Sequence, residues 1–595
     1  MSSTKSAGWG SRVGLILAMA GNAVGLGNFL RFPVQAVENG GGAFIIPYIV
    51  CFLLMGIPLL FVEWSVGRFG GKSGHHSTPF ILDSMDKRKF WKYIGVFGIF
   101  TNLAVASYYC YIESWTLSYV WHSISDTFGG KSQGDVADFF GNYVSLNEPS
   151  PIIFWVLCLI LNTWILSRGL SGGVERAAKI GMPLLLVFGA FLAFKAINIT
   201  EGTNQALFDG TVGLDFLWKP NYSSIWDSKV WLAAAGQIFF TLSIGMGSIQ
   251  CYSSYLKKNE DVALNAMGAG WMNGFVEIVL GSSIIIPIAV GYLGVDGMKE
   301  LLADGGGFGL GFKTLPYLFE QWGSVAGVIA GVSWFGLLFF AGITSSLAMG
   351  TPIVGFLKDE FSWKEKNAAW LFGLAVFILG LPTVLFFNYG VFDEYDYWAG
   401  TVSLVTFAFV EIILFAWVFG MDRGWAEITE GADIRVPVIF RYIIKYVTPL
   451  LLGWVFFNSL PDIGKTLTHE KSKEKIATYS DESKLMEQKE KLIESVEAKK
   501  KKGDVIQNAY WEDYKGISDA DIKNNKSISA PNQILIMKLR DTQRLLEEDS
   551  YRQEKIDQEE KTMLYKNISR VLLLLLWLGI AYLVYLASTK TKKSI

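Results

Sequence analysis

The chain has 595 residues, 51% of them hydrophobic and 15% aromatic. Apolar runs of about 20 residues recur along most of it, each long enough to cross a bilayer, which excludes a water-soluble domain and predicts an all-α polytopic membrane protein. Lys and Arg total 52 against 54 Asp and Glu, a net charge of −2 that says little about partners; none of nucleic-acid type is expected.

Twelve spans are predicted in chain order, over 11–37, 41–69, 90–122, 151–167, 174–196, 229–256, 261–291, 323–357, 364–385, 392–420, 440–460 and 569–588. The first carries Gly21-Asn-Ala-Val-Gly-Leu-Gly-Asn28 at its middle, and the sixth Thr241-Leu-Ser-Ile-Gly-Met-Gly-Ser248, about 220 residues later. Glycine lowers the cost of leaving helical geometry. Unwound backbone at membrane depth survives only when buried in protein or lining a wet cavity. Two such breaks in corresponding halves point to a secondary carrier, in which half-helix ends and freed carbonyls hold solute and ion.

Basic residues fill alternate loops: Lys72, Lys87, Arg88, Lys89 and Lys92, then Arg168, Arg176 and Lys179, Lys257 and Lys258, Lys358, Lys364 and Lys366, and Arg423, Arg435, Arg441 and Lys445. Intervening loops are acidic or neutral, such as Asp126, Asp135, Asp138 and Glu148. The positive-inside rule therefore puts both termini in the cytoplasm of a cell membrane (the inner one, in a bacterium), with Lys590, Lys592 and Lys593 at the C-terminal end. No cleavable signal is expected, because the first span begins within about a dozen residues and belongs to the fold. Cys51, Cys110, Cys158 and Cys251 fall inside spans as small buried hydrophobes, and His75, His76, His122 and His469 lack metal-ligand spacing.

Residues 461–568 differ in kind, holding 21 of the 52 basic and 22 of the 54 acidic side chains. Leu485, Lys489, Leu492 and Val496 share one helical face, Ser480 is expected to cap its start, and Pro531 to open a second helix running toward the last span. The block reads as a charged extracytoplasmic hairpin, with a partly disordered loop as the alternative, and it leaves room for an extracytoplasmic partner. Because its charges balance and it lies outside the repeated spans, a short linker in its place is expected to leave uptake within a few-fold of the full chain.

Gly169-Leu-Ser171-Gly-Gly173 matches a nucleophile elbow but follows no strand, and Gly70-Gly71-Lys72-Ser73 resembles a phosphate loop without its first glycine, since residue 66 is Val. The glycine-rich stretch 305–311 reads as an outer loop turn. None of these supports catalysis.

The run Asn22-Ala-Val-Gly-Leu-Gly-Asn-Phe-Leu-Arg-Phe-Pro33, followed by Glu38-Asn-Gly-Gly-Gly-Ala-Phe44, strongly resembles the neurotransmitter:sodium symporter family. The likeness continues through Tyr109-Cys-Tyr-Ile-Glu-Ser-Trp115, Gln237-Ile-Phe-Phe-Thr-Leu-Ser243, Phe340-Ala-Gly-Ile-Thr-Ser-Ser346 and Asp393-Glu-Tyr-Asp-Tyr-Trp-Ala-Gly400. It covers about 1–460 and the last span. It implies a leucine-transporter-type fold of twelve transmembrane helices. Residues 1–200 would form one five-helix repeat and 201–425 its inverted copy, with spans at 426–460 and 569–595 outside that core and the insert 461–568 between them.

The resemblance also assigns residues. One Na+ would be held by the Ala23 and Thr241 carbonyls, the Thr241 hydroxyl and the Asn28 and Asn273 amides, with a substrate carboxylate completing the shell. A second would use the Gly21, Val24 and Ala341 carbonyls and the Thr344 and Ser345 hydroxyls; such neutral oxygens can replace the water of a small hard cation. Amine-transporting relatives carry aspartate where this chain has Gly25. Glycine leaves space for an amino acid's own carboxylate, beside the Leu26 and Gly27 amides and the Tyr109 hydroxyl. The Ala23, Phe240 and Thr241 carbonyls and the Ser243 hydroxyl would take the α-ammonium. Val105, Phe240, Met246, Ser345 and Met349 would line the side-chain pocket, where leucine-transporting relatives have a bulkier ring in place of the adaptable Met246.

Arg31 and Asp396, charges at membrane depth, would form an outer gate with Tyr109 and Phe240 closing beneath. The inner gate would use Trp9, Tyr255, Asp359 and Lys5, because the family's arginine position is Ser6 here and lysine lacks arginine's fork. Gly173 and Pro183 match a helix-unwinding motif. Chloride-dependent relatives hold the anion at positions matching Tyr48, Gln237 and Thr241, with a small hydroxyl residue where this chain has Glu277. The expectation is sodium-coupled, chloride-independent symport of neutral, large hydrophobic or aromatic L-amino acids. An amino-acid sensor docking partners through 461–568, and a carrier of another solute, stay open; uptake with and without a sodium gradient separates sensor from carrier.

Overall fold

In a computed structural model, residues 8–219, 222–501 and 530–591 are described, and among them every regular element is helical. Lys5 and Ser6 lie outside the described residues, as do Lys592 and Lys593 and the middle of the charged insert. A helix stands at each of the twelve predicted spans. Nine are individually long and apolar enough to cross a membrane, and the pair Arg12–Ala23 and Leu26–Glu38, bent by 51° at its break, makes a tenth. Ser150–Leu166 is apolar but shorter. The sixth segment is split into Ser228–Leu242 and Ser248–Ser253.

The centre of the bundle is the packing of Val96–Ile124 against Ser324–Phe361, the two helices most extensively in contact. Small residues permit it: a Cβ at Gly342 would sit 2.9 Å from the Glu113 side chain. Both broken segments lie against these helices, so the irregular backbone is enclosed by protein, as hydrocarbon demands.

The two breaks have different causes. At the first, Val24 (ψ 101°) and Gly25 (φ −125°) are extended, a conformation open to any residue. Glycine is needed there for space: a Cβ at Gly25 would approach the Tyr109 hydroxyl to 2.9 Å and the Ser345 hydroxyl to 3.0 Å. At the second, Ser243, Gly245 and Gly247 have φ of 55°, 76° and 86°, a left-handed path that glycine follows without strain.

Several boundaries depart from expectation. The seventh span is followed by further helical turns, but the path breaks at Gly294 (φ 71°, ψ 171°) and again at Gly306 (φ 55°, ψ −156°), so the glycine-rich stretch does turn the chain before the wide helical turn at Gly309–Thr314. Gly307 packs so tightly on the first broken segment that a Cβ would lie 1.8 Å from the Leu30 carbonyl oxygen, which explains that one glycine. The eleventh helix continues through Pro461 to Leu467, and the last starts at Asp549, about 20 residues before its apolar stretch, where charged residues without a breaker extend the helix into water. The insert forms helices Glu470–Tyr479, Glu482–Lys501 and Ala530–Glu547. Leu485 and Val496 are buried on the predicted face. Asp481, whose carboxylate accepts from the Ser483 amide at 3.0 Å, takes the capping place expected of Ser480; that hydroxyl donates back to the Ile476 carbonyl. Pro531 does stand at a helix start, but this helix ends at Glu547 and the last one begins afresh. Gly173 sits in a wide helical turn, and Pro183 lies inside the intact helix Glu175–Ile197.

Candidate functional site

A cavity with about 470 Å³ of free space lies between the breaks. Its walls include Ala23, Gly25 and Gly27 from the first break and Phe240, Thr241, Ser243 and Met246 from the second. Val105 and Tyr109 come from one central helix, and Ser345 and Met349 from the other. Every residue expected to contact a solute therefore lines it except Leu26, which faces an adjoining vestibule while its amide donates to the Tyr109 hydroxyl at 3.2 Å. Asn22, Asn28, Tyr108, Gly400 and Leu404 complete the walls, of which Tyr108 and Leu404 carry no sequence signal.

At one edge, Asn28, Thr241 and Asn273 interlock. The Asn28 side-chain amide donates to Thr241 Oγ1 at 3.1 Å and to Asn273 Oδ1 at 2.8 Å, and Asn28 Oδ1 accepts from the Gly25 amide at 2.8 Å. All three are buried and uncharged. Against this cluster lies Glu277, fully buried, with Tyr48 donating to one carboxylate oxygen and Gln237 to the other at 2.5 Å. The chain thus assembles the four positions Tyr48, Gln237, Thr241 and Glu277 in one place.

A second cluster joins the first break to the helix Ser324–Phe361. The Ser345 hydroxyl lies 3.2 Å from the Gly21 carbonyl oxygen, 3.5 Å from that of Val24 and 3.1 Å from that of Ala341. Thr344 Oγ1 lies 3.2 Å from the Ala341 oxygen and packs on Gly21, where a Cβ would meet the threonine side chain at 2.8 Å. All five expected residues converge as neutral oxygens, a donor set that suits a small hard cation.

Other polar groups hold the breaks open. The Ser243 hydroxyl donates to the Asn22 carbonyl at 3.0 Å, Asn102 donates to the Met246 carbonyl at 2.6 Å, and Glu63 accepts from the Gly245 amide at 2.6 Å. Glu63 is an ionisable residue at membrane depth, as Arg31 and Asp396 are, and that signal in the sequence marks it equally well.

Above the cavity, a vestibule with about 750 Å³ of free space is lined by Arg31, Gln35, Phe308, Phe392 and Asp396, with Tyr108, Tyr109 and Phe240 at its floor. Arg31 and Asp396 face it without an ion pair between them. The Arg31 guanidinium stacks 4.2 Å from the Phe240 ring centroid, and Asp396 accepts from the Tyr108 hydroxyl at 2.6 Å.

At the opposite end, the Trp9 indole donates to the Tyr252 carbonyl at 3.1 Å. Tyr255 stacks on His76 with centroids 3.9 Å apart, and Asp359 accepts from the His76 amide at 3.0 Å. Glu175 fastens the N-terminal segment, accepting from the Gly10 amide at 2.6 Å and the Ser11 hydroxyl at 2.8 Å.

His76 makes this closed end sensitive to acid. Burial first, then the nearby Lys358 and His75, push its imidazole down to about 4. An unpacked histidine titrates at about 6.5. Between these values the opened segment binds a proton that the packed one refuses, so the packing weakens as pH falls through that window. Hydrogen exchange around 73–78 and 252–256, corrected for its intrinsic pH dependence, is expected to quicken from pH 7.5 to 5, and His76→Gln to remove the change. An unaltered pH response in that variant would refute the assignment.

The sequence profile described as "Sodium:neurotransmitter symporter family" matches residues 6–134 and 146–473. The chain belongs to that family. Its relatives include a sodium-dependent transporter of Methanocaldococcus jannaschii, 32% identical over 469 residues, covering 77% of this chain and 91% of the relative. The sodium-dependent nutrient amino acid transporter 1 of Drosophila grimshawi is 24% identical over 513 residues, covering 77% of each. Among solved structures, MhsT in complex with L-phenylalanine superposes with a TM-score of 0.66 at 30% identity, covering 76% of this chain and 99% of MhsT. This symporter-family chain is a multi-pass membrane protein of a sodium-dependent transporter family and is not an enzyme. The profile match ends at residue 473, so it does not extend to the last span, which the resemblance includes.

Proposed function

We propose that the chain is a symporter coupling two Na+ to the uptake of neutral, large hydrophobic or aromatic L-amino acids by alternating access, without chloride. On this reading its twelve spans comprise inverted repeats 1–200 and 201–425, with the termini in the cytoplasm and the charged hairpin outside. The observation that carries it is the cavity between the two breaks, edged by one neutral oxygen cluster on each side. Gly25, with no side chain, leaves room for a solute carboxylate beside the Tyr109 hydroxyl and the start of the short helix at Leu26. Ala23, Asn28, Thr241 and Asn273 would hold one ion, and Gly21, Val24, Ala341, Thr344 and Ser345 the other. The vestibule opens the solute's path from outside, and closure of Arg31 and Asp396 over Tyr109 and Phe240 would occlude it. Met246 and Met349 give the side-chain end a wall that repacks around large ligands.

Uptake into proteoliposomes tests this. Asn28→Ala and Thr344→Ala are each expected to weaken sodium binding and uptake together, by about tenfold or more, the scale of losing one charge-assisted contact in a dry site. Full uptake in potassium medium without sodium would overturn the coupling. Decarboxylated amines binding better than their parent amino acids would overturn the substrate class.

A further inference from the structure

The last helix lies beyond the family match, yet it grips the outer end of the tenth span. That end is the short helix Val391–Tyr395, followed by a wide helical turn at Asp396–Ser403 that carries Asp396 into the vestibule. Glu394, two residues before Asp396, is 2% exposed. Its carboxylate takes both arms of the Arg570 guanidinium, Nε at 2.7 Å and Nη2 at 3.1 Å, and the Trp398 indole at 2.8 Å. Arg570 also donates to the Thr466 carbonyl at 2.7 Å and the Leu467 carbonyl at 3.1 Å, closing the end of the eleventh helix, and its Nη1 lies 3.1 Å from His469 Nε2. One turn before it, Tyr565 stacks on Phe386 and Tyr389 at 4.2 and 5.0 Å. One guanidinium from the middle of the last helix therefore ties the outer ends of the tenth and eleventh helices at a single point, immediately ahead of the turn that bears Asp396.

We propose that Arg570 is a positioning residue of the outer gate, holding Glu394 so that the Asp396 turn stays drawn away from Arg31 and the vestibule stays open. This rests on reading Arg31 and Asp396 as that gate. The geometry suits such a role, because a nearly buried carboxylate held by a bidentate fork is a rigid anchor. A wide turn directly after it gives the backbone somewhere to bend. Without the guanidinium, Glu394 loses its bidentate hydrogen bonds and keeps only the looser Lys566 ammonium at 4.0 Å, the turn is released, and Asp396 is free to leave Tyr108 for Arg31. The C-terminal helix thereby sets the resting balance between open and closed forms of a carrier whose binding cavity it never touches.

The four native cysteines are buried and free, so a single cysteine at Gln35 in the vestibule reports its opening. Its labelling by a membrane-impermeant maleimide is measured in the full-length protein, in sodium, with and without phenylalanine as the probe solute. On the Gln35→Cys background, Arg570→Met and Glu394→Gln are each expected to slow labelling by about fivefold or more, the lower end of ordinary coupling between sites, and Arg570→Lys to fall between. The rate is counted per folded molecule, so a merely structural role lowers yield and leaves it unmoved. If phenylalanine slows labelling in the parent but Arg570→Met and Glu394→Gln label at the parental rate, the role of Arg570 is overturned. If phenylalanine gives the parent no protection, the gate reading falls and the Arg570 role with it.

Discussion

Glu277→Ser is expected to convert chloride-independent uptake into chloride-dependent uptake. The wild-type carboxylate is fully buried, accepts from Tyr48 and Gln237, and lies against the Asn28–Thr241–Asn273 cluster. Placing cations in a dry site is costly unless a negative charge stands near, and a carboxylate fixed beside the site can supply one while the cations are bound. Serine removes the charge but leaves the Tyr48 and Gln237 donors pointing into the space it vacates, a setting in which a mobile anion can take its place. Uptake by the variant in gluconate medium should drop by about tenfold or more, close to the 1.4 kcal/mol scale of a weak buried charge contact, and chloride should restore it. The experiment is decisive in both directions, because a wild type that already stalls in gluconate would strip Glu277 of this role.

Gly25→Asp is expected to abolish amino-acid binding. Two effects add. A Cβ at this position comes within 2.9 Å of the Tyr109 hydroxyl and 3.0 Å of the Ser345 hydroxyl, so even alanine crowds the cavity. The aspartate then sets one carboxylate against another where the solvent is excluded, a repulsion of several kcal/mol at short range in low dielectric. Equilibrium binding of phenylalanine should fall below detection, while thermal stability without solute changes by only a few degrees. Gly25→Ala separates the two effects; equal loss in both variants would mean that crowding alone decides the outcome.

Much of this site was legible in the chain because its chemistry is written in unusual residues at unusual depth. Asparagine, threonine and serine beside glycine breaks inside apolar runs marked both oxygen clusters, and the structure brings all of those residues together. What remained hidden depends on which side chains meet across the bundle. That Arg31 stacks on Phe240 while Asp396 turns to Tyr108 follows from packing among four separate helices, and no local pattern encodes it. At Gly25 the resemblance already pointed to space beside Tyr109; what stayed hidden is that the backbone there is extended and that Ser345 crowds a side chain as closely as Tyr109 does. The ends of the eleventh and last helices were misplaced because hydropathy stops at the membrane surface, whereas the helical hydrogen-bond ladder does not, even past Pro461 in the eleventh.

Ser345 stands at two addresses, since the same hydroxyl borders the central cavity and reaches the Gly21, Val24 and Ala341 oxygens. If that second cluster holds Na+ as proposed, ion and solute share one hydroxyl and each can alter the other's affinity. Whatever factor one guest adds to its neighbour's grip must be returned in equal measure, because the closed cycle of binding steps admits no net gain. Occupants of the cavity that push this hydroxyl aside would then loosen the cation as they bind, and occupants that leave it in place would not. Blockers of the same size and affinity can therefore fall into separate classes, told apart by whether raising sodium weakens their hold or leaves it unchanged.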